Sequence, residues 1–243
     1  TDAGLSAHPL DHLCNGITLQ QPVDVTALPG FSDGLVSVQD GAAQRVVDLI
    51  NPQPGERILD ACAAPGGKAC HLLERQPGLK ELVACDASPS RLQRIVENSK
   101  RLGLNPTVVE ADARALPANL SSPGFDAILA DVPCSATGVM RRNPDIKILR
   151  RAADISQFAE QQLAILQGLW PALKPGGRLL YVTCSILDAE NDGVVKAFTQ
   201  QHNVDITPIV MERGIARDCG WQVMPEAEGG DGLYFSLLCK PAD

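Results

Sequence analysis

Residues 58–68, Ile-Leu-Asp-Ala-Cys-Ala-Ala-Pro-Gly-Gly-Lys, decide the fold of this 243-residue chain. A short apolar run, Ile58 and Leu59, ends in Asp60. Small residues and a Pro-Gly-Gly turn follow, and Lys68 opens a helix-compatible segment. Strand, tight loop and helix start are the parts with which an α/β sheet brings backbone N–H groups against a ligand. Gly66 and Gly67 omit side chains where a ligand would approach and accept positive φ at little cost. An ordinary βα turn has the same outline, so the loop alone is a weak signal for a nucleotide-type ligand.

Outward from that loop, strands and helices alternate. Residues 38–50 fit an amphipathic helix with Val46, Val47, Leu49 and Ile50 inward, stopped by Asn51-Pro52. Residues 82–86 read as a strand ending in Asp86. Residues 88–102 read as a helix with Ser88 as N-cap and Pro89 at its first position. Residues 107–112 and 125–131 read as strands ending in Asp112 and Asp131. A long helix over 155–173, interrupted at Pro171, precedes a strand over 178–183 entered from Pro175-Gly176-Gly177. Residues 189–200 read as helix, and 232–240 as an antiparallel edge strand. The expected fold is α/β, Rossmann-like: a mostly parallel sheet with an antiparallel edge strand and helices on both faces. Residues 1–34 form an N-terminal extension, rich in Pro, Gly and Asp, expected to pack on the main domain of residues 35–243.

Composition narrows the classes. At 44% hydrophobic, the chain can bury one substantial core. No run of eighteen apolar residues exists, so no membrane partner is expected. The first residues lack a basic and an apolar region, so no signal peptide is expected, and a start without Met is expected of a fragment or a trimmed chain. None of the eight cysteines forms a Cys-x-x-Cys pair. A reducing, cytoplasmic setting is therefore expected. His8, His12 and Cys14 flank a proline in a polar stretch, and no metal site is expected there. The net charge of -8 argues against a non-specific nucleic-acid binder but leaves room for a local basic patch.

Four expected strands end in aspartate: Asp60, Asp86, Asp112 and Asp131. The carboxyl ends of parallel strands line the ligand crevice, and Asp86 falls about 20 residues past the glycine loop, where an acid usually takes ribose hydroxyls. Any one of them could simply cap the next helix. Four in succession indicate an adenosine-containing cofactor, and the absence of Gly-x-Gly-x-x-Gly argues against a nicotinamide one. Cys134 and Cys184 each follow a strand end and precede Ser, unlike Cys62, Cys70, Cys85 and Cys239, which sit in apolar runs. A thiolate there would be a strong nucleophile.

The segments Asp-Ala-Cys-Ala-Ala-Pro-Gly-Gly-Lys (60–68), Asp-Val-Pro-Cys-Ser-Ala-Thr-Gly-Val (131–139), Arg-Arg-Asn-Pro-Asp-Ile (141–146) and Tyr-Val-Thr-Cys-Ser (181–185) occur in this order. Together they resemble the S-adenosylmethionine-dependent RNA cytosine-5 methyltransferases, in particular the branch acting on bacterial 16S ribosomal RNA. Leu28-Pro29-Gly30-Phe31 and Val38-Gln39-Asp40 extend the likeness, which runs from about residue 22 to residue 240. The resemblance implies S-adenosylmethionine as cofactor and RNA, ribosomal RNA foremost, as partner, with the protein a monomer. Cys62, Ala63, Ala64, Pro65, Gly66, Gly67 and Lys68 would wrap the cofactor's methionine end. Asp86 would bind its ribose, Asp112 would lie near adenine, and Arg91 would add a contact. Asp131 would stand between cofactor and target base, with Lys68 orienting it.

Cys184 would be the nucleophile and Cys134 would assist product release, acting as a base. Those two roles rest on the resemblance, because the residues alone do not tell nucleophile from helper. The basic run Arg141, Arg142, Lys147, Arg150 and Arg151 would contact RNA phosphate. Ala111 and Ala113 replace the glycines that the family usually has around Asp112. Members of this branch carry a helical RNA-binding domain upstream, and the chain is expected to be the catalytic half alone. Other readings are a cytosine-5 enzyme for transfer RNA or another ribosomal site, and a non-catalytic RNA-binding or ribosome-assembly module.

Overall fold

A computed structural model describes residues 4–10, 13–226 and 230–242. His12 lies outside them, as do residues 1–3 and 11 of the N-terminal extension. The elements in chain order are β1 (Ala7–Pro9), β2 (Ile17–Leu19), α1 (Gly41–Ile50), β3 (Arg57–Asp60), α2 (Gly67–Arg75), β4 (Glu81–Asp86), α3 (Pro89–Arg101) and β5 (Thr107–Glu110). Then follow α4 (Ala118–Ser121), β6 (Phe125–Asp131), α5 (Ile146–Leu149), α6 (Ala152–Leu169), β7 (Leu173–Thr183), α7 (Asp192–Thr199), β8 (Asp205–Thr207), β9 (Ile215–Ala216), β10 (Trp221–Val223) and β11 (Leu233–Cys239). β1 and β2 form a separate hairpin.

The main sheet runs β5-β4-β3-β6-β7-β11-β10-β9, with β8 also on β11. β5, β4, β3, β6 and β7 are parallel, and β11 is antiparallel to β7. The chain winds outward from β3 through β4 to β5, then resumes on the other side at β6. The β3/β6 boundary is thus the switch point where open α/β sheets hold ligands. One buried cluster joins Val46, Val47 and Ile50 of α1, Leu72 of α2 and Ile95 of α3 to Ile58, Leu129 and Leu180. The other joins Ile165, Leu166 and Leu169 of α6 and Phe198 of α7 to Leu59, Ile128 and Tyr181. Both faces are covered, which is why these strands read as continuous apolar runs.

Several boundaries differ from those the sequence predicts. α1 starts at Gly41, not 38, because the Asp40 carboxylate caps the Ala42 N–H at 2.9 Å, and Leu49 is only half-buried. Ser88 precedes α3 without a side-chain cap; its N–H instead donates to Asp86. β5 stops at Glu110, so Asp112 stands in a turn and does not end a strand. α6 spans Ala152–Leu169, opened by the Arg151 N–H donating to Asp154 at 2.9 Å. Pro171 belongs to a 3₁₀ turn, Trp170–Ala172, and β7 already starts at Leu173. β11 is not an edge strand, because β10 and β8 pair on its far side.

The turn after β5 is seated directly on α6. A Cβ at Gly168 would lie 2.4 Å from the Arg114 carbonyl oxygen and 2.5 Å from that of Ala113. Gly168→Ala is therefore expected to cost about 1–3 kcal/mol, the usual penalty for overpacking. Denaturant titration reads it, and an unchanged midpoint would mean that the turn does not press on α6.

Candidate functional site

Parallel register raises a set of acidic side chains along one face of the sheet. Asp60 pairs level with Leu129 on β6 and Ala84 on β4. Asp131 and Asp86 each lie two residues further along, and alternate residues of a strand share a face. All three aspartates therefore point to the α1–α3 side, at the strands' carboxyl ends. Cys184 follows β7 directly and packs against the same buried cluster.

At the opposite, amino-terminal ends of these strands the charges are satisfied within the protein. Arg57 pairs with Glu81, Arg178 with Glu56, and Lys174 with Asp126. At the carboxyl ends, Asp60 is 1% exposed, and its carboxylate oxygens have no well-formed hydrogen bond, only a weak approach of the Cys62 backbone N–H. A buried carboxylate left unpaired is costly. Burial pushes the Asp60 carboxyl up to about 7, the charge of Asp131 adds to the rise, and Lys68 opposes it. Asp60 lines a cavity of about 170 Å³ with Gln39, Cys62, Ala63, Lys68 and Asp131. A ligand carrying a cation would complete it.

The loop between β3 and α2 has two different glycines. Gly66 takes φ +99°, and a Cβ there would sit 3.1 Å from the Ile95 Cα of α3. Helix packing and the left-handed backbone both require glycine there. Gly67 meets nothing within 4 Å and lines the cavity together with Ala64 and Pro65. Asp86 is buried; it accepts the Ser88 N–H at 3.0 Å and lies 3.4 Å from Arg91. Arg91 also donates to the Ala64 carbonyl at 3.1 Å, so its guanidinium ties Asp86 to the loop. Asp112 is half-exposed and held by Arg114 at 2.6 Å, and that hydrogen bond pulls its carboxyl below the ordinary value. Ala111 and Ala113, the two departures from the family's glycines, are buried against the α6 side.

The Lys68 ammonium donates to Asp131 at 2.6 Å. Burial alone would lower the pKa of Lys68, but Asp131 and Asp60 outweigh it, so the net shift is upward and the lysine stays charged. The Sγ atoms of Cys134 and Cys184 are 3.3 Å apart. Cys184 is half-buried, while Cys134 is buried. A hydrogen bond from Cys134, aided by the charge of Lys68, draws the Cys184 thiol below its ordinary pKa. The same bond and burial raise that of Cys134. Cys184 is the more acidic thiol, and the arrangement suits it to attack as a thiolate.

All five members of the basic run are exposed, and two of them also hold structure. Arg142 forms a two-pronged ion pair with the buried Asp231. Arg150 donates to the Ser135 carbonyl at 2.9 Å and lies over the Phe158 ring. Arg141, Lys147 and Arg151 are exposed, and none has an ion partner among the described residues. Sequence reasoning missed Gln39 as a site member and placed Asp60 at the crevice without giving it a role of its own. The strand-end pattern held the signal for Asp60, but only burial reveals that its carboxylate is unpaired.

The family described as "16S rRNA methyltransferase RsmB/F" matches residues 47–239. Proteins named ribosomal RNA small subunit methyltransferase B, from Salmonella arizonae and Pseudomonas syringae pv. tomato, are each 46% identical over 98% and 99% of this chain. The match covers 55% of each relative, so the chain spans about half the length of the curated relatives it matches. Among solved structures, PH0851 superposes with a TM-score of 0.91 at 27% identity, covering 98% of this chain and 54% of that one. NSun6 from Pyrococcus horikoshii, solved with SFG, gives 0.80 at 28% identity over 94% of this chain and 60% of its own.

The unpaired Asp60 carboxyl makes stability depend on pH. Its pKa is raised from 3.8 to about 7 on folding, so between these values the folded state holds a proton that the unfolded state has lost. Stability therefore falls as pH rises from 4 to 7, and the full cost is present above 7. Asp60→Asn should stabilise the ligand-free protein at pH 8 by up to about 4 kcal/mol, at about 1.4 kcal/mol per tenfold change in proton affinity. The gain should vanish near pH 4 and be accompanied by weaker binding of a cationic ligand. Melting temperatures measured across pH check this, and a gain independent of pH would contradict it.

Proposed function

Because the chain belongs to the RsmB/F family of 16S rRNA methyltransferases, we propose that it methylates carbon 5 of a cytosine in RNA, 16S ribosomal RNA foremost, using S-adenosylmethionine. The observation that carries this reading is the thiol pair, 3.3 Å apart, with Cys184 under the influence of Lys68 and Asp131, two side chains that line a cavity with the buried Asp60 carboxylate. When bound, S-adenosylmethionine supplies an electrophilic methyl group on a sulfonium. Asp60 matches its ammonium, the small side chains at 63, 64 and 67 leave room for its methionine end, and Asp86 suits ribose hydroxyls. The relative solved with SFG, an analogue of S-adenosylmethionine, supports that assignment. Among the described residues no helix is long and apolar enough to cross a membrane. Eight unpaired cysteines favour a reducing, cytoplasmic setting.

Carbon 5 of cytosine does not attack a methyl group unaided. The Cys184 thiolate adds to carbon 6, which turns the ring into an enamine nucleophilic at carbon 5. Asp131, held by Lys68, is suited to the N3/N4 edge of the ring, where charge changes during addition. Carbon 5 would then take the methyl group as the methyl–sulfonium bond breaks, its electron pair staying on a neutral thioether. Loss of its proton to water restores the ring double bond and expels Cys184 as a thiolate. Cys134, its thiol pKa raised by burial and by its bond to Cys184, is suited to hydrogen-bond the leaving Cys184 thiolate through its S–H, in place of the base role expected for it. The target base must leave its stack to reach such a pocket. Arg141, Lys147 and Arg151 are the cations free to hold the flanking phosphates.

Cys184→Ala should abolish tritium transfer from methyl-labelled cofactor to 16S rRNA. Cys134→Ala should accumulate an RNA–protein adduct visible on a denaturing gel. Methylation by the Cys184 variant, or no adduct with the Cys134 variant, would overturn the thiol roles. Replacing Arg141 and Lys147 together by Ala should weaken RNA binding and flatten its salt dependence, by about 0.7 in log–log slope per lost single-strand phosphate contact. An unchanged slope would remove both from the RNA interface.

A further inference from the structure

Behind the two thiols lies a carboxylate that the chemistry above does not use. Glu190 is fully buried in the turn that leads into α7. Its Oε1 accepts the Ser135 N–H at 2.7 Å and the Gln162 side-chain N–H at 3.1 Å. Its Oε2 accepts the Ser135 hydroxyl at 2.5 Å and the Ser185 hydroxyl at 2.6 Å. No Lys, Arg or His pairs with it among the described residues. Ser135 is the neighbour of Cys134, and Ser185 is the neighbour of Cys184.

We propose that Glu190 is a positioning residue: one carboxylate bridges the two thiol-bearing loops and sets the separation of their sulfurs. The inference rests on the methyltransfer reading for its kinetic consequence alone. Four hydrogen bonds converge on one side chain, so a shared carboxyl group joins the two loops more firmly than a single hydroxyl pair could. Glu190 is itself held from two sides. The Tyr181 hydroxyl of β7 donates to its backbone carbonyl at 2.6 Å and to the Gln162 side-chain oxygen at 3.2 Å. Gln162 of α6 also donates to the Pro133 carbonyl at 2.9 Å, on the Cys134 loop. Two further ties run alongside: Thr137 Oγ1 to Ser185 Oγ at 3.2 Å, and the Gly138 N–H to the Cys184 carbonyl at 2.8 Å.

The sulfur contact depends on this frame. Cys134 hydrogen-bonds Cys184 only while the two loops stay in register, and that bond is the main cause of the acidity of Cys184. A carboxylate that merely stabilised the fold would, when removed, lower the melting temperature and leave thiol acidity alone.

The test is the pH midpoint for alkylation of Cys184 by iodoacetamide, followed by peptide mass spectrometry on the intact chain. It needs neither RNA nor cofactor. In Glu190→Ala the midpoint should rise by about one pH unit, towards that of an ordinary cysteine. Methyl transfer should slow at least tenfold in kcat (an order-of-magnitude expectation) with KM for RNA little changed. Glu190→Gln should recover most of both, because serine hydroxyls can turn to accept from an amide N–H. If Glu190→Ala does not fold, Ser185→Ala takes its place and should raise the midpoint in the same direction. A folded variant with the wild-type midpoint, or a Glu190→Gln protein as impaired as Glu190→Ala, overturns the proposal. A shifted midpoint in a chain that never methylates RNA would uphold the bridge and refute the methyltransfer reading instead.

Discussion

The in-register parallel pairing of β3 with β4 and β6 is the constraint on which the site depends. Because Asp60 lies level with Ala84 and Leu129, each neighbouring strand delivers its own aspartate two residues further up, on the same face. A slip of one residue in β6 would turn Asp131 to the α6 side, away from Lys68. β7, paired to β6 with Asp131 level with Val182, then carries Cys184 to the same rim. The β3–α2 loop, Asp131 and the thiols thus meet through backbone hydrogen bonding rather than through any direct affinity for one another.

The two ends of the sheet carry opposite electrostatic conditions. At the amino-terminal ends, Arg57, Arg178 and Lys174 find carboxylates and backbone carbonyls within the protein. Those contacts ask nothing of a ligand. At the carboxyl ends Asp60, Asp86 and Asp131 share the vicinity of Lys68 and Arg91, and Asp60 is left without a well-formed hydrogen bond. Burial there is unfavourable to the free protein and becomes favourable once a cation arrives. The thiols follow the same logic on a smaller scale: the buried sulfur holds its proton more tightly than an ordinary cysteine, and the more exposed one less tightly.

Much of the frame was legible in the chain, because the strands of a sheet covered on both faces are apolar throughout and the Pro-Gly-Gly turn between strand and helix is local. Residues 58–68, β4, β6 and the later part of β7 fall where the sequence puts them. β8, β9 and β10 were not foreseen, since two or three residues carry no periodicity. Without them β11 looked like an edge. Asp112 looked like a strand-end acid because it follows an apolar run, but β5 stops two residues earlier and Arg114 claims the carboxylate.

By itself the sequence determined the α/β class, the acids at the carboxyl ends of β3, β4 and β6, and the two cysteines that follow β6 and β7, because these are short-range patterns of residue type. Tertiary structure decided which polar groups are already spent. Arg142 belongs to Asp231 and Arg150 to Ser135, across separations of 89 and 15 residues. Asp60 has no well-formed hydrogen bond, and Glu190 receives hydrogen bonds from both thiol loops. Pairing and burial are properties of the packed chain, so a charge that looks free in sequence can be neutralised in space, and a carboxylate that looks incidental can lie where two loops converge.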